Sequence, residues 1–355
     1  MEIDPKLDKI LKLEQRLKVA TVFIILALGF TILITVKNML LSFVLAFVIN
    51  YLLSPVVEFL ERRGLRRNTA ILIPFTISAL LISFGIYLIL PLIGEQFAAL
   101  ESQLPKYQYE IMHLVASTEE RFNGFFRLYD IKFSQSVNSW ILNKTTEISA
   151  SIPSALSGSL TVLILSPFFA FFMMQDGQQV SRSVLKFVPN NLFELALNLH
   201  HQINEQLGGF IRARFIEAAI VGLVVWLGLQ IAGFPYASLL GLFAALTNLI
   251  PYLGPVIGAV PALLIALISP DAQLADHMGL SLAIVTSIYL TAQIIDIVFI
   301  IPFVVAKIVN LHPVSVMIVI IIGSQIMGIL GMVISIPVAS AIKLTFGAFY
   351  DHLTD

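Results

Sequence analysis

Cysteine is absent from all 355 residues, which excludes disulfides, thiol catalysis and thiolate metal sites. Charge is scarce as well. Asp, Glu, Lys and Arg make up 12% of the chain, against roughly 25% in ordinary soluble domains. A basic excess is also lacking: the formal net charge is −1, and no basic tail or aromatic–basic interleaving suggests a nucleic-acid partner. The phosphate-cradling G-x-x-x-x-G-K-[ST] loop does not occur, so nucleotide hydrolysis by that route is excluded. Neither H-E-x-x-H nor G-x-S-x-G occurs, which weakens protease and lipase readings. His200 and His201 are adjacent, hence about 100° apart on a helix, and cannot share a metal as an i,i+4 pair would. The chain reads as a non-enzyme, with no catalytic residue, no metal site and no cofactor.

What is abundant is apolar: 58% of residues are hydrophobic. Eight hydrophobic segments follow one another, at 19–36, 39–60, 69–94, 152–174, 213–233, 237–269, 279–305 and 313–346. A spanning helix needs about 20 apolar residues, so the expected fold is an all-α polytopic membrane protein. The first eighteen residues mix five basic and four acidic side chains, without the short apolar core and small-residue cleavage site of a signal peptide. The first segment therefore reads as an uncleaved helix, followed by a tight turn at Lys37-Asn38.

Two polar stretches interrupt this pattern. From 95 to 151, Phe97, Leu100, Leu104, Tyr107, Ile111 and Leu114 recur at helical steps, which predicts a helical segment outside the bilayer, interrupted at Pro105. Within 176–211, Leu192, Leu195, Leu199, Ile203, Leu207 and Phe210 mark a second stripe, expected to lie in the membrane interface. The expected domains are the first three spans (1–94), the extracytoplasmic segment (95–151), span four with the interfacial helix (152–211), and a transport core (212–346).

Within that core two segments are broken. Asn248-Leu-Ile-Pro251-Tyr-Leu-Gly254-Pro255 separates two apolar runs that are each too short to cross comfortably. Proline removes a donor and clashes with helix continuation, and glycine permits positive φ. The expected product is a re-entrant hairpin over 237–269, with one long kinked helix as the competing reading. Such backbone is tolerated at membrane depth only when it is buried in protein or lines a wet cavity. A second hairpin is expected over 313–346, interrupted between Gly323 and Gly331.

With the termini placed in the cytoplasm and both broken segments treated as hairpins, fifteen of the twenty-one basic residues fall inside, as the positive-inside rule asks. Helix 213–233 with its hairpin and helix 279–305 with its hairpin then run in opposite senses. Pro235 and Pro313 open the two hairpins, and Gly254 and Gly331 lie near their tips. An inverted repeat with broken helices meeting at the midplane is a recurring secondary-transporter plan.

Asp296 lies deep in an apolar run with Gln293 one turn before it. A carboxylate at that depth marks a pathway or relay, which makes Asp296 the leading candidate for a proton or cation coupling site. The competing role is a carboxyl that ties helices together. Glu217 is the second candidate, although Arg214 one turn before it suggests an ion pair. Thr247, Asn248, Ser324 and Gln325 supply uncharged polar groups near the hairpin tips for a cation or a hydroxylated solute. Pro251, Gly254 and Pro255 would shape the pathway. Asn310 and His312 flank the second hairpin, His312 as a cap.

Several motifs together resemble the autoinducer-2 exporter family. They are Arg214-Phe-Ile-Glu-Ala-Ala-Ile-Val-Gly222, Gly233-Phe-Pro-Tyr-Ala-Ser-Leu-Leu-Gly241, Asn248 to Pro261, Gln293-Ile-Ile-Asp296, Ile301-Pro-Phe-Val-Val-Ala-Lys307, Leu311-His-Pro313, Gly328 to Pro337, and the Phe171-to-Asp176 ending of the fourth run. The resemblance implies a multi-pass permease of the cytoplasmic (inner) membrane and a homo-oligomer, pentamers among the reported forms. It also implies export of a small polar solute or exchange of sodium or lithium for protons. Where many members carry Glu in the Q-x-x-E position, this chain has Asp296, which keeps the charge but shifts its reach. Beside this gradient-driven transporter stand two alternatives, a channel-like pore and a non-transporting membrane scaffold.

Overall fold

A computed structural model describes residues 27–29, 31–36, 38–121, 139, 161–186, 188, 192–268, 278–298 and 312–354. Among them every regular element is helical. The longer helices are α1 (Met39–Arg62), α2 (Arg67–Arg121), α3 (161–185), α4 (Phe193–Ile231), α5 (Ala237–Asn248), α6 (Leu253–Ile268), α7 (Met278–Ile295) and α8 (Pro313–Thr354). The protein is an all-α polytopic membrane protein. Among the described residues, four helices are long and apolar enough to cross a bilayer, at Met39–Arg62, Arg67–Ser117, Gly279–Val298 and Gly331–Ala348. Three shorter apolar helices, Ala237–Asn248, Leu253–Ile268 and Val314–Ile329, are the arms of broken segments.

The chain forms two units. The first contains α1, the start of α2, α3 and the start of α4, up to Gln202. Asn38 takes the left-handed conformation (φ 64°) ahead of α1, a position that Asn tolerates well. Val57, Ala70, Ile71 and Met174 form the unit's buried apolar cluster. Arg67 fastens it, donating to Glu61 at 3.0 Å, to the Gln175 carbonyl at 3.1 Å and to the Met174 carbonyl. His200 accepts or shares a hydrogen bond with Ser181 at 2.8 Å.

The second unit contains the rest of α2, α4 from Ile203, and α5 to α8. The helix α4 stops at Gly233, whose φ of +66° suits glycine, with the Phe234 N–H closing onto the Leu229 carbonyl at 2.9 Å. Pro235 follows and α5 begins. The buried core joins Val221, Val225 and Leu229 of α4 to Leu240 and Ala244 of α5, Ala262 and Ile265 of α6, and Val285 and Ala292 of α7. Tyr107, with Leu100 and Ile111, packs on the same core from α2.

Two expectations need correction. Pro105 does not interrupt: α2 runs unbroken from Arg67 to Arg121, through the apolar run and on into the polar stretch. Three of the residues that recur at helical steps on that stretch, Leu100, Tyr107 and Ile111, bind it to the core, so tertiary packing holds the helix across a proline that lacks only one hydrogen bond. Likewise α4 is one helix from Phe193 to Ile231, joining the predicted interfacial stripe directly to the fifth apolar run. Most of 122–151, the first run before residue 27, residues 152–160, the acidic connector with Asp271 and Asp276, and the stretch 299–311 with Asn310 lie outside the described residues.

The polar extension of α2 fastens the start of α5. The Leu239 N–H, an orphan donor in the first turn of α5, donates to Gln96 Oε1 at 3.0 Å. The Tyr107 and Tyr236 hydroxyls lie 3.2 Å apart, and Tyr107 donates to Gln103 at 2.9 Å. Gln96→Leu is expected to cost about 1 kcal/mol and to speed amide exchange at 237–241 without altering exchange in α7. Hydrogen-exchange mass spectrometry of both proteins checks this.

Candidate transport site

The break between α5 and α6 is a tight turn over 249–252, where Pro251 sits. Positive φ falls on Tyr252 (64°) rather than on Gly254. Gly254 lies in the first turn of α6, where a Cβ would collide with the Thr247 carbonyl and the Asn248 Cα. Its role is therefore close approach of the two arms. Pro255 follows within the same turn, where a missing N–H costs nothing.

The second break falls inside α8 at Met327 (φ −137°, ψ 15°) and Gly328 (φ 61°, ψ −140°). Gly323 and Gly331 then pack backbone to backbone, each leaving no room for a Cβ on the other. The arms 314–329 and 331–348 thus fold back on one another near the tip. His312 caps the start of the first arm, its Nδ1 accepting the Val314 N–H at 3.3 Å.

The two broken segments meet. Ile250 at the first turn, Val316 and Ile320 of one α8 arm, Ile336 of the other and Phe210 of α4 form a small buried apolar cluster. One turn along α4 from Phe210 is Arg214, whose guanidinium stands 5.5 Å over the Phe210 ring. Arg214 is ion-paired to Glu217. Asp296 comes to the same place from α7, as the first residue of a π-turn over 296–298. It lies close enough to Glu217 for each carboxylate to act on the other, and Arg214 acts on both. Such π-turns cluster at functional sites.

This group is buried, with Arg214 9%, Glu217 2% and Asp296 4% exposed. Among the described residues, one cation faces two carboxylates. Glu217 Oε2, Asp296 Oδ1 and Arg214 Nε have no hydrogen-bond partner among the described residues, and neither has the Nδ2 of buried Asn248. Buried polar atoms left unpaired cost free energy, so the cluster has hydrogen-bonding capacity that the described residues do not use.

The remaining candidates divide. Thr247 is buried and donates to the Phe243 and Ala244 carbonyls of its own helix, at 2.9 and 3.1 Å. Gln293 lines a cavity of about 240 Å³ between α6 and α7, with Val221, Gly254, Pro255, Gly258 and Tyr289 among its other walls. Ser324 donates to the Ile321 carbonyl at 2.7 Å, and Gln325 is exposed; neither hydroxyl nor amide is buried with the charged cluster. Sequence reading placed Phe210 in the interfacial stripe and Val221 in the Arg214-to-Gly222 motif without assigning either to the site. The signal for both was their spacing, each one helical turn from a charged residue of α4.

The model of one family, described as AI-2E family transporter, matches residues 22–351. The chain belongs to the AI-2E family of transporters. This is a family of transport proteins, not an enzyme class. The "Putative transport protein YrrI" of Bacillus subtilis (strain 168) is 27% identical over 324 residues, covering 88% of this chain and 86% of that protein. The "Putative transport protein YueF" of the same organism is 28% identical over 320 residues, covering 88% and 84%. The "Putative permease PerM" of Escherichia coli (strain K12) is 26% identical over 332 residues, covering 92% of each. The match therefore takes in the charged cluster and both broken segments of this AI-2E chain together.

Proposed function

We propose that this protein is a gradient-driven secondary transporter of the cytoplasmic membrane, in which Asp296 and Glu217 take up the coupling proton or monovalent cation. The observation that carries this reading is the buried Arg214–Glu217–Asp296 cluster, which among the described residues has more negative than positive charge and an unpaired oxygen on each carboxylate. Arg214 lowers the cost of holding both carboxylates at depth, and a proton or alkali cation would balance the remaining charge. Exchange of sodium or lithium for protons follows if the two ions compete for that one vacancy.

The small apolar cluster around Ile250 and Phe210 supports alternating access, because it is a thin barrier where the two broken segments meet. In our reading the segments enter from opposite membrane faces, the termini are cytoplasmic, and the protein works as a homo-oligomer. A channel would need an open path past this apolar contact.

The test uses purified protein in proteoliposomes containing a pH-sensitive dye, with imposed sodium or lithium gradients. Wild type should show cation-dependent proton flux, and Asp296→Asn should lose at least tenfold of it while retaining its melting profile. Absence of flux from folded wild-type protein would end the cation–proton reading, and flux that survives in Asp296→Asn would remove Asp296 from the coupling site.

A further inference from the structure

Resting on the transporter reading, we propose that the cavity between α6 and α7 is the cargo site and that its cargo is a small uncharged amphiphile drawn from the bilayer. Three observations carry this. The first is the lining. Gly258, Ala259, Leu263 and Leu290 make it predominantly apolar, and among the described residues no charged side chain lines it. An ion or a polyol without an apolar body would lose its water there with little in return.

The second is the small set of polar groups. The Tyr289 hydroxyl is engaged with the Gly258 carbonyl at 3.0 Å. The Thr286 hydroxyl and Gln293 remain, neither side chain making a hydrogen bond with any described residue. An amide both donates and accepts, which suits a hydroxyl or a carbonyl rather than a formal charge. The third is the rim. Val256 and Leu290 are 66% and 57% exposed, on the apolar helices α6 and α7, the second of them long enough to cross a bilayer. Exposed aliphatic side chains at the mouth suit entry from hydrocarbon, not from water. The volume, about 240 Å³, falls just under the 300–1,000 Å³ usual for small-molecule sites, so the cargo is small.

Position links this cavity to the ion site. Gln293 stands one turn from Asp296 on α7, and Val221 one turn from Glu217 on α4. Occupancy of the cavity and the charge state of the cluster therefore act on the same two helix faces.

The experiment uses the full chain in lipid nanodiscs and radiolabelled cyclohexylmethanol, with empty nanodiscs as the partition blank. Saturable binding above the blank is expected, competed by methylcyclohexane but not by glycerol or tetramethylammonium. Gln293→Leu should weaken cyclohexylmethanol about tenfold and leave methylcyclohexane unchanged. Ala259→Trp should abolish binding by filling the space. Leu290→Trp, at the exposed rim and therefore tolerated by folding, should slow association. Uptake equal to the blank, binding unaffected by both tryptophan variants, or glycerol competing as well as methylcyclohexane would overturn the proposal, as would a retained phospholipid that excludes the probe. Proton flux measured on the same preparation separates the two ideas. Flux without saturable binding ends the cargo site alone, and binding without flux ends the coupling reading alone.

Discussion

Arg214→Met is expected to abolish cation-driven proton flux and to destabilise the protein by about 3–5 kcal/mol, the usual cost of removing one partner from a buried ion pair. The side chains of Arg214 and Glu217 are only 11% and 2% exposed, so solvent cannot replace the lost guanidinium. Without it Glu217 and Asp296 face one another with no compensating cation among the described residues. The double variant Arg214→Met with Glu217→Leu should recover most of the stability, because an apolar pair of similar volume can match or exceed a buried ion pair. It should not recover flux. Thermal unfolding in detergent reads the first effect and the dye assay the second. A double variant no more stable than Arg214→Met would show that Arg214 stabilises through its stacking on Phe210 instead.

The parts of this site were unequally legible in the sequence. Asp296 and Glu217 stood out singly, because a carboxylate in an apolar run is costly and conspicuous. Their meeting did not, because nothing in the spacing of residues on α4 and α7 fixes how two helices pack. The break at Pro251 was legible from proline and glycine punctuation, yet the positive φ was assigned to Gly254 when Tyr252 adopts it. Glycine signals two needs, unusual dihedrals and close approach, and sequence alone does not separate them. The long helices α2 and α4 were read as several elements because polarity changes along them. Polarity reports what surrounds a helix, and a helix that leaves the apolar layer keeps its hydrogen bonds. The membrane-protein class, by contrast, follows from composition, since 58% hydrophobic residues arranged in long runs leave little else.

Gly254→Val should be the most damaging single change outside the charged cluster, leaving little folded protein to purify. The added side chain meets backbone, the Thr247 carbonyl and the Asn248 Cα, and backbone cannot swing aside. The tip of the first hairpin would have to open, carrying Ile250 away from Phe210, Ile320 and Ile336. Gly258→Ala should be milder, since its Cβ would come within 2.7 Å of the Thr247 Oγ1, a side-chain atom that can move. Gly347→Ala, in α8 with nothing within 4 Å of the new Cβ, should be neutral or stabilising by up to about 1 kcal/mol, from helix propensity alone. The order Gly347→Ala, Gly258→Ala, Gly254→Val in folded yield on size-exclusion chromatography would thus measure how closely the two arms must approach. If Gly254→Val folded as well as Gly347→Ala, α5 and α6 would not be packed as described, and Ile250 would lose its place between the two broken segments.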